Sequence, residues 1–328
     1  MLFLLTLLHL FVDGICGATL CAYAVNESTL EPILFVFATY NLVAFGMQGV
    51  GGFLLDRWPA LLPYAFILAL LLLWIGAYLE LIPLGVFILG SGNFLFHAAG
   101  GKYVLEQYTR FTETGVFVSS GAIGLALGLN GIVPPLFFLV PCSLITILVV
   151  YLLPRQKRST SSDLPSPQYG YFFRTVCLLL LLICIILRGF GGKDDLSEYV
   201  MLLPFVFAFG KAFGGILCDR IGYHKTLLFI FLVGFIALQC EGLLPLLLLV
   251  LVFNMTMPLT LRLAYLCYPG HAGLIFGVAA SCLLPGAFFA STVTLPPQTM
   301  LGIAYLTLFG AAALLQRVYH KSFLQDQV

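Results

Sequence analysis

The sequence predicts an all-α polytopic membrane protein with twelve transmembrane helices in two pseudo-symmetric six-helix bundles. Three observations predict this fold. Hydrophobic residues make up 61% of the 328-residue chain and charged residues only 9%, whereas an ordinary soluble domain has about 25% charged residues. Apolar segments of about 20 residues, the length that crosses a bilayer, follow one another along the whole chain. A short charged motif also occurs twice, at positions half the chain length apart.

The apolar segments predict twelve crossings joined by short loops. In order, they cover residues 2–23, 32–55, 60–79, 83–105, 113–132, 134–153, 171–189, 198–218, 225–241, 243–262, 270–293 and 299–316. The one long linker, residues 154–170, is rich in proline, serine and charge and separates six crossings from six. The sequence thus predicts an N-terminal bundle (1–153), a cytoplasmic linker (154–170) and a C-terminal bundle with a short cytoplasmic tail (171–328).

Lysine and arginine predict which side of the membrane each loop faces, because cytoplasmic loops are enriched in both. With both termini in the cytoplasm, the outer segments hold only Arg188 and Lys193. The inner segments hold Arg57, Arg110, Arg155, Lys157, Arg158, Arg174, Arg220, Lys225, Arg262, Arg317 and Lys321. This bias supports the number of crossings. The chain is expected to be a multi-pass protein of the plasma (inner) membrane. The alternative is a cleaved signal peptide ending at Ala24, which would leave eleven crossings and unpair the halves.

The charged motif reads Gly52-Phe-Leu-Leu-Asp56-Arg57 after the second crossing and Gly215-Ile-Leu-Cys-Asp219-Arg220 after the eighth. Its two aspartates lie 163 residues apart. Other pairs recur at similar offsets: Asn93 with Asn254, and Thr114-Gly115 with Ala272-Gly273. Repeats in this order predict two homologous halves, which is how many secondary transporters are built.

With twelve crossings, a central linker and this motif in both halves, the chain resembles the major facilitator superfamily. The second copy continues with Gly222, His224 and Lys225, whereas Trp58-Pro59 follows the first copy and departs from the family pattern. The resemblance implies a charge network that holds the outward-facing state. Lys102 is expected to pair with Glu106 or Arg57 as part of the inner gate. We interpret the following as gate residues: Asp56, Arg57, Glu106, Asp219, Arg220 and Lys225.

Two stretches are also similar to fosmidomycin-resistance-type efflux proteins. The first crossing reads His9-Leu-Phe-Val-Asp13-Gly14. The fourth reads Gly90-Ser-Gly-Asn-Phe-Leu-Phe-His97-Ala98-Ala-Gly100, with alanine where that pattern has proline. This second resemblance favours proton-coupled efflux by antiport.

Ionisable residues inside a bilayer are costly and mark functional sites. His9 and Asp13 share one face of the first crossing, and Asn93 and His97 share one face of the fourth. In the family that the chain resembles, crossings 1, 4, 7 and 10 line the central cavity. We interpret Asp13, His9 and His97 as proton-coupling residues, because a carboxyl or imidazole that changes environment can take up and release a proton. The alternative is a buried hydrogen-bond network that only fixes helix packing.

The candidate substrate-binding residues are Asn93, His97, Asn254, Thr256, Arg188 and Lys211. Each has a structural alternative. Arg188, near the outer end of the seventh crossing, and Lys211, in the eighth, could extend to the membrane surface instead. The asparagines could serve only as hydrogen-bond partners between helices.

These residues predict a secondary active transporter that moves a small organic solute by alternating access, with protons as the coupling ion and efflux as the direction. The alternatives are a proton-coupled importer or facilitator of a small anionic metabolite, a non-transporting membrane sensor, and a lipid flippase. No nucleotide-binding loop or metal-ligand motif occurs, so no enzymatic activity, cofactor or metal is expected. The expected partners are the bilayer, the solute and protons, without nucleic acid, and the chain is expected to be a monomer with its nine cysteines reduced.

Overall fold

The computed structural model describes residues 1–153, 170–190, 201–290, 292–293 and 295–318, and of residues 317–318 only the backbone. Within these ranges the regular structure is entirely helical. The predicted linker, except Gly170, lies outside the described residues. The predicted loop cations that lie outside them are Arg155, Lys157, Arg158, Lys193 and Lys321.

The helices follow the predicted crossings closely. The N-terminal half contains α1 (Leu2–Asn26), α2 (Leu30–Gly46), α3 (Gln48–Arg57), a 3-10 turn (Pro59–Leu61), α4 (Leu62–Tyr78), α5 (Pro83–Gln107), α6 (Phe111–Leu129) and α7 (Pro135–Leu152). The C-terminal half contains α8 (Tyr171–Phe190), α9 (Leu203–Ile221), α10 (Tyr223–Ala237), α11 (Leu243–Cys267), α12 (Ala272–Ser281), α13 (Leu283–Phe289) and α14 (Pro297–Val318). Helices α2 and α3 form one span that is interrupted at Met47, and α12 and α13 form another that is interrupted at Cys282.

Ten helical segments in the described ranges are long and apolar enough to cross a membrane. The other two predicted crossings correspond to α9 and α10. Helix α9 carries three charged residues, Lys211, Asp219 and Arg220, and α10 has 15 residues. The chain is therefore a multi-pass membrane protein, and the count of twelve crossings stays a prediction.

The two halves are packed separately and meet along two seams. In the N-terminal half, α1 packs against α6 and α7, and α4 packs against α5. In the C-terminal half, α11 packs against α8 and α9, and α14 packs against α8. The seams between the halves are α3 with α12 and α6 with α9. We call the end of the bundle that holds Asp56 and Asp219 the charged end.

Both ends of the described chain lie at the charged end. The Leu2 N–H donates to the Tyr108 hydroxyl at 2.9 Å, in the loop before α6. His224, at the start of α10, contacts Gln316 near the end of α14. The two ends of the described chain therefore lie on the same side, and which side of the membrane this is stays a prediction.

Two helix ends differ from the sequence prediction. Asp219 and Arg220 lie in the last turn of α9 and not in a loop, because the helix continues until Gly222, whose φ of +86° suits glycine and stops the helix. Helix α11 continues past residue 262 to Cys267. Arg262, which was assigned to an inner loop, is therefore inside a helix.

Candidate functional site

The seam between α3 and α12 is built from glycines whose backbones touch. A Cβ atom on Gly52 would overlap the backbone of Gly273. The Ser281 hydroxyl donates to the Phe45 carbonyl across the same seam, at 2.7 Å. Close contact of this kind needs residues without side chains, as in other helix pairs of membrane proteins.

Asp56 closes this seam at the charged end. Its two carboxylate oxygens accept hydrogen bonds from the backbone N–H groups of Gly273 (2.9 Å) and Leu274 (2.8 Å). These N–H groups belong to the first turn of α12 and have no partner within their helix. A carboxylate also complements the partial positive charge at a helix N-terminus. The N-terminal half thus caps a helix of the C-terminal half.

Asp219 makes the same contact with the roles of the halves exchanged. Its carboxylate accepts the backbone N–H groups of Phe111 (3.0 Å) and Thr112 (2.7 Å), at the start of α6. A Cβ atom on Gly215 would overlap the backbone of Phe111. The sequence repeat is therefore a repeat in contacts as well, because each motif aspartate caps a helix of the opposite half.

Replacing Asp219 with alanine should weaken the α6–α9 seam by about 1 kcal/mol, the usual cost of losing a helix cap. The amides of Phe111 and Thr112 should then exchange faster, as measured by hydrogen–deuterium exchange mass spectrometry of the purified protein. Arg220→Ala is the matched control, because the Arg220 side chain is exposed. Equal exchange in wild type and Asp219→Ala would contradict the capping role.

Lys102 joins α5 to the first aspartate. Its buried Nζ lies 2.9 Å from an Asp56 oxygen and also pairs with Glu106, one turn further along α5. The expected pair of Lys102 and Glu106 is therefore present, and the second partner is Asp56 instead of Arg57. The other three gate candidates have exposed side chains, and their role stays a prediction: Arg57, Arg220 and Lys225.

Arg262 is a contact between the halves that the sequence prediction missed. The residue is only 1% exposed, and its guanidinium donates to the carbonyl oxygens of Leu105 and Tyr108, both at 2.9 Å. Leu105 lies in the last turn of α5 and Tyr108 directly follows it, so an arginine of one half holds a helix end of the other. Arg262 lies about one repeat length after Lys102, and this correspondence with a gate residue could have indicated its role.

Four polar side chains of α1 and α5 form a cluster inside the N-terminal half. The His9 and His97 Nε2 atoms are 2.9 Å apart. The Asp13 carboxylate lies 3.3 Å from His9 Nε2 and 3.6 Å from His97 Nε2. The Asn93 amide donates to the Asp13 carboxylate at 3.1 Å. The structure thus brings together the four residues that the sequence placed on facing sides of two helices.

Hydrogen bonds determine where protons sit on the two imidazoles. His9 Nδ1 faces the Phe117 carbonyl at 2.8 Å, and His97 Nδ1 faces the Asn93 carbonyl at 3.0 Å. A carbonyl only accepts, so each Nδ1 carries its hydrogen. In neutral rings both Nε2 atoms would then present lone pairs to each other. A separation of 2.9 Å becomes favourable when one proton lies between them. The pair can therefore hold one extra proton, with the Asp13 carboxylate as its counter-charge.

The same three residues are also of the types that bind metal ions. The nearest ligand atoms of His9, Asp13 and His97 all lie within 4.8 Å of one another. Two nitrogens bound to tetrahedral zinc at about 2.0–2.1 Å would be about 3.3 Å apart. The observed Nε2–Nε2 separation of 2.9 Å is shorter and is a normal hydrogen-bond length. The geometry therefore fits a shared proton better than a shared metal ion.

Gly121 of α6 covers the cluster. A Cβ atom at this position would overlap both the Asp13 carboxylate and His9 Nε2. The side chains of α1 can therefore adopt their observed positions only because residue 121 is glycine. The sequence analysis did not identify Gly121 as part of this site.

A cavity of about 290 Å³ lies within the C-terminal half. Its polar lining comes from Arg188, Lys211 and Asn254. The Arg188 guanidinium donates long hydrogen bonds to the hydroxyls of Thr256 (3.4 Å) and Thr260 (3.3 Å). Arg188 therefore points toward α11 inside the bundle and does not extend to the membrane surface.

The structure divides the predicted substrate-binding residues into two groups. Asn93 and His97 belong to the cluster of the N-terminal half, whereas the other four lie at or beside the cavity of the C-terminal half: Asn254, Thr256, Arg188 and Lys211. The two groups are connected electrostatically, because the Lys211 ammonium interacts with both Arg188 and Asp13.

No family model and no curated protein matches the sequence. Solved structures match the fold over nearly the whole chain. A major facilitator superfamily transporter, FucP, in the outward conformation has a TM-score of 0.64 at 14% identity, covering 97% of this chain and 98% of its own. The E. coli fucose:proton symporter FucP, in a second structure, has a TM-score of 0.60 at 14% identity, with coverages of 98% and 99%.

The human organic anion transporter MFSD10 has a TM-score of 0.66 at 14% identity and covers 94% of this chain and 97% of its own. These three structures are of transporters. The chain therefore has the fold of the transporters of the major facilitator superfamily.

Proposed function

We propose that the protein is a proton-coupled secondary transporter of a small organic solute that works by alternating access. The observation that carries this proposal is the cluster of His9, Asp13 and His97. Its hydrogen bonds suit one exchangeable proton, and it lies inside the bundle, where an ionisable group without a function would be costly. The fold supports the transport part of the proposal.

The two seams supply the gate. With both termini in the cytoplasm, the charged end is the cytoplasmic side, and the described conformation is closed there. Opening that side requires Asp56 and Asp219 to release the helices that they cap, and Arg262 to release the end of α5. In the conformation that is open on that side, these groups must therefore bind other residues or water.

The presence of separate sites for the proton and the solute favours symport, because both sites can be occupied at the same time. The proton cluster lies in the N-terminal half and the solute cavity in the C-terminal half, so a proton and a solute need not compete for one position. Efflux by antiport, which the helix sequences favour, is the second candidate and rests on the fosmidomycin-resistance resemblance of the first and fourth crossings. The sign of the proton movement separates the two. We further propose that the protein acts as a monomer in the plasma membrane.

The test uses purified protein in liposomes that contain a pH-sensitive dye. Organic acids, neutral solutes and cationic drugs are added in turn, and the internal pH is recorded. Wild type should move protons only when its solute is present, and Asp13→Asn should reduce this movement to the level of empty liposomes. The reason is that the amide can neither bind the proton nor balance the charge of the histidine pair.

Glu31→Gln is the matched control, because it removes an exposed carboxylate of the same half. It should transport like wild type. Solute movement without proton movement would replace the proton-coupled transporter with a facilitator or another coupling ion. Solute binding without any movement would favour the sensor. Movement of labelled lipid between leaflets would favour the flippase.

A further inference from the structure

We propose that the cavity of the C-terminal half binds a small organic anion, whose charged group contacts Arg188 and Lys211 and whose apolar body fills the rest. The inference rests on the proposed function, because it names the class of solute. It is carried by an imbalance of charge in the cavity.

Among the residues that the structure describes, the lining of the cavity contains two cations, Arg188 and Lys211, and no anion. Among these residues, the hydroxyls of Thr256 and Thr260 are the hydrogen-bond partners of Arg188, at 3.3–3.4 Å. Within the same ranges, Lys211 makes no ion pair and donates no side-chain hydrogen bond. Arg188 repels its ammonium, and the Asp13 carboxylate of the other half attracts it without forming an ion pair. A desolvated charge is costly unless it is paired. Two unpaired cations side by side therefore indicate a site that is completed by an anionic ligand.

The remaining lining defines the rest of that ligand. Apart from Asn254, the other residues around the cavity are apolar, and they include Phe207, Phe253 and Met300. Binding sites for small molecules begin at volumes of about 300 Å³, which is close to the 290 Å³ of this cavity. A compact molecule with one anionic group and a hydrocarbon or aromatic body fits both the size and the polarity. A sugar would leave its hydroxyls without partners against this lining.

The position of Lys211 also relates the anion to the proton. The Asp13 carboxylate attracts the Lys211 ammonium from beyond ion-pair distance. When the histidine pair holds its extra proton, the net charge of the cluster next to Lys211 becomes less negative. The cavity then attracts an anion more strongly, so a proton and an organic anion favour each other's binding.

Two measurements test the inference on the full chain in detergent. The first is thermal unfolding without added solute. Lys211→Met removes an unpaired cation, so its melting temperature should rise by several degrees. Arg262→Met is the contrasting variant. Its melting temperature should fall, because Arg262 is also a buried cation of the C-terminal half but its two carbonyl partners would be left without a donor.

The second measurement is binding by isothermal titration calorimetry, with benzoate as the anion and benzamide and benzylamine as uncharged and cationic counterparts. Benzoate should bind more tightly than either. Lys211→Met should weaken the binding of benzoate by at least about tenfold, as expected when one partner of a buried charge pair is removed. It should leave the affinity for benzamide unchanged. The inference is overturned if Lys211→Met is less stable than wild type, or if benzoate binds no better than benzamide.

Failure of this inference can be distinguished from failure of the proposed function. Benzoate binding that depends on Lys211, without any solute-driven proton movement in liposomes, would keep the anion site and reject coupled transport. Proton-coupled movement of a neutral or cationic solute, without benzoate binding, would keep the transporter and reject the anion site.

Discussion

Replacing Gly52 with alanine is expected to separate α3 from α12 and to open the charged end. The added Cβ would overlap the backbone of Gly273, which cannot rotate away as a side chain could. Overpacking of this kind costs about 1–3 kcal/mol, which shifts a two-state balance by a factor of about 5–150. The added methyl group raises the free energy of the conformation in which the halves touch here. It does not raise the free energy of a conformation in which they are apart.

The measurement is hydrogen–deuterium exchange of the first turn of α12, where the amides of Gly273 and Leu274 are bound by Asp56. Exchange should become much faster in Gly52→Ala. Gly49→Ala is the matched control in the same helix, because the nearest atom to its added Cβ would be 3.5 Å away, an ordinary contact. If both variants exchange like wild type, the close approach of the two helices is not what holds the halves together.

Replacing Gly121 with alanine is expected to disconnect proton movement from solute binding while the protein still folds. The added Cβ would overlap the ends of the Asp13 and His9 side chains, and these can rotate away. The separation of 2.9 Å between the two histidine Nε2 atoms would then be lost, and with it the position of the shared proton. The cavity of the C-terminal half would be unaffected. Solute-driven proton movement should fall to the level of Asp13→Asn.

The liposome assay with the pH-sensitive dye measures this effect, and benzoate calorimetry shows whether the cavity is intact. Gly302→Ala is the control for exchanging a helical glycine in open space. Among the described residues, and apart from its chain neighbours and its own helix backbone, no atom lies within 4 Å of the added Cβ. It should behave like wild type in both assays. Wild-type proton movement in Gly121→Ala would mean that the observed arrangement of Asp13 and His9 is not needed for coupling.

Most of the fold could be predicted from the sequence because a bilayer requires long apolar helices, and their length is visible in composition alone. The repeat of Asp56 and Asp219 also indicated two related halves. The ends of helices were predicted less well. Helix α11 runs on to Cys267, and Arg262 within it finds carbonyl partners in the other half, a contact that cannot be read from one segment of sequence.

The candidate site was predicted in part for similar reasons. The spacing of four placed His9 with Asp13 and Asn93 with His97 on single helix faces, and their contact follows from the packing of α1 beside α5. The substrate-binding residues, by contrast, were expected around one central cavity. Their separation into two groups depends on how α8, α9 and α11 pack within their own half, and neither hydropathy nor spacing contains that information.

The connection at Gly222 makes the two halves mechanically unequal. One residue joins α9 to α10, whereas Trp58 and a 3-10 turn join α3 to α4. A link of one residue has only two free backbone dihedrals, so we expect a tilt of α9 to carry α10 with it. The longer link of the N-terminal half can absorb part of the same tilt. In the proposed transport cycle, the C-terminal half would move as the more rigid unit, and the N-terminal half would change shape around its proton cluster.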